Sequence, residues 1–387
     1  MCLSVKICGF KFLIFVNPEI AEKTKRLVKM LAENELGGVL INSQFNFAWA
    51  TGGKSNGINL SSENGACFLL IRSDGSKFVL ANNIEMPRIL EEEISAEDFE
   101  PIEFTWQEEK ASGDFVIDKA KSLLKTGKNL ASDLFLHKEI RPVESLISRC
   151  RYELTTPEIQ RYRALGKDAG KAIGNTIKSI NAGETEIAIA RKTKSELAKF
   201  NIDSVVTLIG ADERIERFRH PTPSENVWKK ILLIAVCAKR EGLIANLSRI
   251  VCVGEIPNDL KRKTEAAAYV FAKLLSETKT GKTGAELYKI AADAYAEKGF
   301  TDEINLHHQG GATGYKTRDW VIHPKSGETV FPNQAFAWNP SITGTKAEET
   351  ALISGDKIEI ITATDNFPAI AVEIKGREYF APGILSL

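Results

Sequence analysis

Two adjacent histidines, His307 and His308, stand before a glycine pair in the stretch LHHQGGATGYKTRDW, and Arg318 and Asp319 follow them. An imidazole can bind a transition metal or carry a proton near neutral pH, so either chemistry fits these residue types. The Arg318 guanidinium can hold a carboxylate through two hydrogen bonds. Neighbouring residues of a strand face opposite sides, so a strand here would keep the two imidazoles from sharing one ion.

A second pair of candidate groups is His220, in FRHPTP directly after Arg219, and Glu348, in KAEETALI. A histidine positioned by a carboxylate is a common acid–base pair. Structural roles are alternatives: His220 could satisfy backbone groups in the turn before Pro221, and Arg219 could belong to an ion pair. One of the neighbouring carboxylates Glu348 and Glu349 could be solvated. We favour the functional interpretation for His220 and Glu348.

The composition is typical of a soluble globular protein. Among 387 residues, 43% are hydrophobic and 26% charged, and 51 basic residues balance 51 acidic ones, so net charge gives no sign of a nucleic-acid partner. The six cysteines are scattered without a C-x-x-C pair, which argues against structural zinc and disulfides. The apolar start, MCLSVKICGFKFLIFV, is too short to span a bilayer and lacks a cleavage site, so we expect a cytoplasmic protein with no membrane partner.

Apolar periodicity divides the chain into two parts. The first alternates helices and strands, and it begins with a helix in PEIAEKTKRLVKMLAENEL that we expect to end at Gly37-Gly38. The second begins with a helix capped by Thr155 and then mixes long helices with apolar strands. We therefore predict an α/β N-terminal domain, residues 1–152, and an α+β C-terminal domain, residues 153–387.

Six segments of the second part follow one another in an informative order: LTTPEIQRYRALGKDAGKAI, RHPTP, ILLIAVCAKREGLIANLSRIVCVG, LHHQGGATGYKTRD, FAWNPSI and KAEETALI. Together they resemble the creatinase/aminopeptidase P/prolidase family, in which the last segment reads R-x-E-D. The resemblance covers the chain from about Asn17 to its end. It implies a creatinase-type N-terminal domain, a C-terminal domain with the pita-bread fold, and a homodimer.

In peptidases of that family, two Asp, one His and two Glu hold two divalent cations that activate a bridging water. The resemblance places these positions, in chain order, at Ala235, Asn246, Gly311, Asn339 and Glu348. All but Glu348 offer a hydrogen, a methyl group or a neutral amide, whereas a divalent pair needs several anionic or imidazole ligands. We therefore expect the family's metal site to be lost, and we expect no other cofactor.

Other residues of the family's pocket persist in this chain. His220 stands where creatinase, the metal-independent member, has its catalytic acid–base, His307 matches a second substrate-side histidine, and Glu348 keeps its carboxylate. The resemblance implies catalytic roles for these three. It implies substrate contacts for a further set: His308, Gln309, Arg318, Asp319 and Arg219. Creatine itself is disfavoured, because Ser248 replaces the family's creatine-binding glutamate.

Three functions follow from this combination. The leading hypothesis is a metal-independent, creatinase-like hydrolase that acts on a C–N bond of a small polar substrate. The alternative is a catalytically inactive pseudoenzyme that binds a small molecule or short peptide on a peptidase fold, since no serine or cysteine lies in a recognisable nucleophile motif. A divergent Xaa-Pro metallopeptidase is the least favoured, because so few of the ligand positions keep a ligand.

Overall fold

The computed structural model describes residues 17–125, 127–355 and 357–387, and the backbone of two paired strands, β1 (Ser4–Ile7) and β2 (Phe10–Leu13). The side chains of the apolar start, residues 1–16, lie outside the described part. The chain divides into two compact units, Met1–Arg151 and Tyr152–Leu387. The predicted domain boundary lies one residue further along the chain.

A six-stranded mixed sheet forms the centre of the first unit, in the order β6-β5-β4-β3-β7-β8. Its strands are β3 (Gly38–Ser43), β4 (Asn64–Arg72), β5 (Lys77–Asn82), β6 (Glu100–Phe104), β7 (Leu130–Ser132) and β8 (Arg141–Pro142). The helices of this unit are α1 (Pro18–Glu33), α2 (Gln44–Ala50), α3 (Met86–Arg88), α4 (Trp106–Ala111), α5 (Phe115–Ser122) and α6 (Glu144–Arg151), with a π-helical turn at Ile89–Glu93. The α/β prediction for this part is confirmed.

Helix α1 begins where expected but ends earlier. The Asn17 side chain accepts a hydrogen bond from a backbone N–H of the first turn, which caps the helix. The predicted end at Gly37-Gly38 is wrong, because the last helical residue is Glu33. A Cβ atom at Gly38 would lie 3.1 Å from the carbonyl oxygen of Ile71, so this glycine permits close packing in the sheet instead of capping the helix.

The second unit contains two larger sheets, with the strand orders β21-β11-β10-β9 and β13-β12-β14-β17-β18. The strands of the first of these are β9 (Asp203–Ala211), β10 (Ile231–Arg240), β11 (Leu243–Cys252) and β21 (Ile384–Ser386). Those of the second are β12 (Gly310–Thr313), β13 (Trp320–Val321), β14 (Ala335–Trp338), β17 (Glu349–Ser354) and β18 (Lys357–Ile360). Two hairpins complete the unit: β15 (Ser341–Ile342) with β16 (Thr345–Lys346), and β19 (Ala369–Ile374) with β20 (Arg377–Pro382).

The helices of the second unit are α7 (Thr156–Ser179), α8 (Glu186–Ala198), α9 (Glu213–Arg217), α10 (Asn258–Glu277) and α11 (Gly284–Glu297), followed by a 3₁₀ turn at Thr301–Asn305. The predicted cap of α7 is confirmed: the side chains of Thr155 and Glu158 bond to each other's backbone N–H groups. None of the helices in the described ranges combines the length and apolar character needed to cross a membrane.

Close packing of α7 places the strands that surround the site. Cβ atoms at Gly166 and Gly170 would lie 2.4 Å and 2.2 Å from the carbonyl oxygens of Ile361 and Ala363, so the helix can approach this segment only with glycine at both positions. Helices α10 and α11 bury apolar side chains against the sheet that contains β12, β14 and β17. The α+β prediction is confirmed, and the candidate residues all lie in this unit.

Candidate functional site

Three histidines of the second unit form a cluster. His220 lies in the loop after α9, and His307 and His308 lie between the 3₁₀ turn and β12. The Nε2 atoms of His220 and His307 are 3.2 Å apart, and the rings of His307 and His308 stack with centroids 4.4 Å apart. The expectation that the neighbouring imidazoles face opposite sides of a strand is wrong, because β12 begins only at Gly310.

A buried hydrogen-bonded chain holds His307 in place. The Gln309 side-chain N–H donates to the carbonyl of His307, and Tyr295 donates its hydroxyl to Gln309 Oε1 at 2.6 Å. The Tyr295 oxygen also accepts from the backbone N–H of Ser341 at 3.0 Å. The amide of Gln309 is therefore engaged within the fold, which favours a positioning role over the substrate contact expected of it.

The cluster borders a cavity of about 160 Å³. The described residues that line it are Val206, Leu208, His220, Ala235, Val236, Cys237, His308, Thr317, Arg318, Asn339, Lys346 and Glu348. Six candidate residues from the sequence thus meet at one cavity although they lie on different elements. Gln309, Asp319, Arg219, Asn246, Gly311 and His307 are not among the lining residues.

Lys346, a lining residue that sequence reasoning missed, lies two positions before Glu348. The residue is 5% exposed, and none of the described carboxylates lies within 4.0 Å of its ammonium. A signal was present, because Lys346 stands where the family motif R-x-E-D has its arginine. Cys237 was missed as well, and burial raises the pKa of its thiol to about 12, so it is no thiolate nucleophile at neutral pH.

The charges of the cavity come from one carboxylate and two basic side chains. Arg318 Nη2 lies 3.4 Å from Glu348 Oε1, a long contact for an ion pair. The buried Nε of Arg318 has no hydrogen-bond partner among the described residues. The guanidinium is therefore only partly satisfied by the protein.

All three histidines are disfavoured as cations. Burial, followed by the charge of Lys346, lowers the pKa of His220 and of His307. Burial and Arg318 lower the pKa of His308 to about 4. The cluster therefore presents neutral imidazoles at neutral pH, and one Nε2 of the His220–His307 contact must carry the proton that the other accepts.

Arg219 and Asp319 lie beside the cavity and do not line it. Arg219 donates to Glu303 at 2.5 Å and to the Thr343 hydroxyl at 2.8 Å. Its guanidinium is thus held by the fold. The Asp319 backbone N–H donates to the carbonyl of Ala312 at 2.8 Å. For both residues the predicted substrate contact stays a prediction.

At the positions that match the family's metal ligands, the structure shows how the residues that replace those ligands are packed and hydrogen-bonded. A Cβ atom at Gly311 would lie 2.0 Å from the carbonyl oxygen of Trp320, so this backbone has no room for a side chain there. Asn246 donates to Thr313 at 3.2 Å, and no hydrogen bond joins it to Asn339 in the described structure. The Oδ1 atoms of Asn246 and Asn339 are buried without a partner.

These residues do not fit the pair of divalent cations that the family implies. Glu348 is the one carboxylate among the described residues that line the cavity, and Lys346 and Arg318 bring positive charge to the same space. One ring nitrogen from each of the three histidines lies within 4.8 Å of the other two, a spacing that a single transition-metal ion could use. The positive charges of Lys346 and Arg318 disfavour such an ion as well.

A second buried cation lies next to the site. Arg249, on β11, forms an ion pair with Glu349 at 2.8 Å and donates to the Thr364 hydroxyl at 2.9 Å. A further N–H donates to the carbonyl of Ser248 at 2.7 Å. Unlike Lys346, this cation is fully engaged by the protein, and it ties β11 to the start of β17.

Comparison with known proteins places the chain in a family. The sequence matches metallopeptidase family M24 over residues 160–363, more than half of the chain. An Xaa-Pro dipeptidase from Pyrococcus horikoshii is 23% identical over 371 residues, which cover 89% of this chain and 97% of that protein. A solved dipeptidase from the same organism superposes with a TM-score of 0.77 at 14% identity, over 94% of this chain and 100% of the other.

The same fold occurs in a domain from a subunit of a protein complex. The N-terminal domain of the FACT complex subunit SPT16 from chickpea, Cicer arietinum, superposes with a TM-score of 0.69 at 12% identity, over 89% of this chain and 96% of the other. Similarity at this level shows the fold alone, so it does not choose between catalysis and binding.

Fold and sequence together define the class: an α/β N-terminal domain followed by a pita-bread domain, as in prolidases. The chain belongs to metallopeptidase family M24. The predicted resemblance to the creatinase/aminopeptidase P/prolidase family is thereby confirmed, and so is the fold. The predicted loss of metal dependence stays a prediction.

Proposed function

We propose that this chain is a metal-independent hydrolase that cleaves a C–N bond of a small polar substrate, with His220 as the acid–base. The observation that carries the proposal is the 3.2 Å contact between the Nε2 atoms of His220 and His307, beside a cavity that Glu348 also lines. Membership of a peptidase family supports a C–N bond as the target.

The chemistry requires two proton transfers. A base takes a proton from water as its oxygen adds to the carbon, and an acid returns a proton to the leaving nitrogen as the C–N bond breaks. A neutral His220 would perform both transfers in turn at Nδ1, the ring nitrogen outside the contact with His307, while the Nε2 contact holds its tautomer. Glu348 would orient the water or the substrate. No residue of this scheme needs a metal ion.

The experiment begins with metal content. The purified full chain is dialysed against chelator, its metals are measured by elemental mass spectrometry, and it is assayed for amine or ammonia release from N-acyl amino acids, ureido acids and Xaa-Pro dipeptides. We expect turnover of one class without metal. His220→Ala should then lower kcat/KM by about 10²- to 10⁴-fold, the usual contribution of a general acid–base.

A surface histidine provides the matched control. His323 is exposed, and its Nδ1 accepts a hydrogen bond from the backbone N–H of Lys325, which asparagine can also accept. His323→Asn should leave turnover unchanged. Turnover that needs added manganese, cobalt or zinc would favour a metal-dependent Xaa-Pro peptidase instead. An unmodified chain that cleaves no member of the panel would favour the binding-protein alternative.

A further inference from the structure

A groove in the second unit lies between strand β18 and the β19–β20 hairpin. Two adjoining cavities form it, of about 330 and 350 Å³, and they share Leu275, Ile358, Arg377 and Tyr379. One wall is β18, and the other contains every residue of β20. The match to family M24 ends at residue 363, so the hairpin lies beyond it. None of the described residues that line the groove also lines the histidine cavity.

The edge of β18 that faces away from β17 offers free backbone groups. β18 is the last strand of its sheet, and β17 is its one partner among the described residues. The N–H of Ile353, which lies opposite Ile358, donates to the carbonyl of Gln334 on the far side of β17. Because ladder bonds alternate along an antiparallel pair, the N–H and C=O groups of Ile358 and Ile360 point away from β17. They are available to an added strand.

The strand on the other side of the groove is unpaired on one edge as well. In the described structure β20 pairs with β19 and with no other strand. The hairpin and the five-stranded sheet are therefore separate sheets, and the groove between them has an unpaired strand along each wall.

The two ends of the groove differ in chemistry. Phe380 lines the apolar end and is 52% exposed. The other end is basic, and none of the described residues that line it carries a carboxylate. Its basic residues are Lys279, Lys357, Lys375 and Arg377. Lys375 is paired with Glu277 at 2.5 Å, whereas Lys279 and Lys357 have no ion-pair partner within 4.0 Å among the described residues.

We propose that the groove binds an extended segment of a partner protein as an added strand beside β18, with acidic residues of that segment at the basic end. In strand addition, backbone hydrogen bonds to an exposed sheet edge give affinity, and contacts of the side chains give specificity. Apolar side chains of the segment pack against Leu275 and Phe380. The unpaired lysines favour an acidic segment over a basic one, because complementary charge selects the partner.

The first test uses capped peptides of about six residues, the length of β20, titrated into the full chain. Each joins an apolar half, Val-Thr-Val, to an acidic half, Glu-Glu-Glu, and both orders are made, one for each strand direction. Fluorescence anisotropy of an uncharged dye on the peptide reports binding. We expect one order to bind, at least about tenfold more tightly than the same peptide with Lys in place of Glu. Failure of both acidic peptides to bind would overturn the inference.

The second test separates backbone pairing from charge. N-methylation of every second amide leaves the charges of the binding peptide unchanged and removes the donors along one of its edges. Two methylated peptides cover the two edges. The one that blocks the edge facing β18 should bind at least about tenfold more weakly, because it cannot form the ladder. If both bind as tightly as the parent peptide, no strand is added and the inference is wrong.

Variants of the chain locate the bound peptide. Lys279→Glu combined with Lys357→Glu should weaken binding of the acidic peptide at least about tenfold, and both side chains are exposed, so the fold should tolerate the change. Lys194→Glu combined with Lys261→Glu is the matched control. It makes the same change in net charge at exposed positions on α8 and at the end of α10 away from the groove, and it should bind as the unmodified chain does. Equal losses in the two double variants would contradict the proposed place of binding.

A second copy of this chain is the competing occupant. If no peptide binds, and the Lys279→Glu and Lys357→Glu pair instead abolishes a self-association measured by sedimentation, the groove is an interface between copies and the inference fails. The proposed hydrolase stands or falls separately. His220→Ala, which should remove turnover, should bind the acidic peptide as the unmodified chain does, because His220 does not line the groove.

Discussion

Among the residues whose burial is described, two lysines are almost completely buried, Lys23 in the first unit and Lys346 in the second, and their surroundings differ. Lys23 Nζ lies 2.6 Å from Glu19 Oε1 and donates to the carbonyl of Trp49 at 2.7 Å. Lys346 Nζ has no such partner among the described residues. The first lysine is neutralised within its own unit, whereas the second lines a cavity.

The difference separates a buried charge that is paired within the fold from one that is not. Breaking a buried ion pair by removing one partner leaves a buried charge uncompensated and is strongly destabilising. Burial lowers the pKa of Lys346, which no ion pair within the described residues holds charged, so its removal takes away no such stabilising contact. The partners of a buried ionisable group, and not its burial, therefore indicate whether it supports the fold.

The largest effect is expected for Arg249→Met, which extends the comparison to a paired cation beside the cavity. Glu349 would remain buried without its partner, and the acceptors on Thr364 and Ser248 would lose their donor. We expect the second unit to lose about 3–5 kcal/mol of stability, measured by urea unfolding. Arg262→Met, in an exposed pair with Asp259, is the control and should change little. Equal effects of the two variants would contradict the distinction.

Lys23→Met should follow, with a loss of about 3 kcal/mol in the first unit. It leaves Glu19, whose side chain is 5% exposed, without the ammonium at 2.6 Å. Hydrogen exchange of the amides in α1 and β3 reports on this unit by itself. Lys25→Met, at an exposed position of the same helix, should leave that exchange unchanged. Protection equal to that of the unmodified chain would mean that the pair contributes nothing to the fold.

The smallest effect is expected for Lys346→Met, a change within about 1 kcal/mol that is neutral or stabilising, because a buried polar group without a partner becomes an apolar group. Urea unfolding midpoints of the variant and the unmodified chain measure this change. A loss as large as that of Lys23→Met would show that Lys346 supports the fold and would break the comparison.

Local signals in the sequence predicted where the second unit begins. The cap at Thr155 was readable because its capping box involves residues only three positions apart. The end of α1 was misjudged, since Gly37-Gly38 looked like a cap although Gly38 packs against strand β4. Close packing between strands depends on residues far apart in the chain, so the apolar periodicity of one segment cannot predict it.

The site was predictable in composition and less so in geometry. The order of the motifs predicted that His220, Glu348 and Arg318 lie at one site, and in the structure all three line the same cavity. The stacking of His307 on His308 was not expected, because it depends on the chain leaving its 3₁₀ turn before β12 begins. Lys346 was overlooked although it stands at the arginine position of the R-x-E-D motif, because a lysine in a strand is usually solvated.

The sequence by itself determined the family, the order of the elements and the residue types at the family's ligand positions, because these depend on motifs and on contacts a few residues apart. Only the tertiary structure decided which charges have partners. Lys23 finds its carboxylate one turn away on the same helix. Lys346 shares its cavity with His220, Arg318 and Glu348, yet no described carboxylate lies within 4.0 Å of its ammonium. Whether a buried lysine lacks a partner depends on all the segments that pack around it, and no single segment of the chain predicts it.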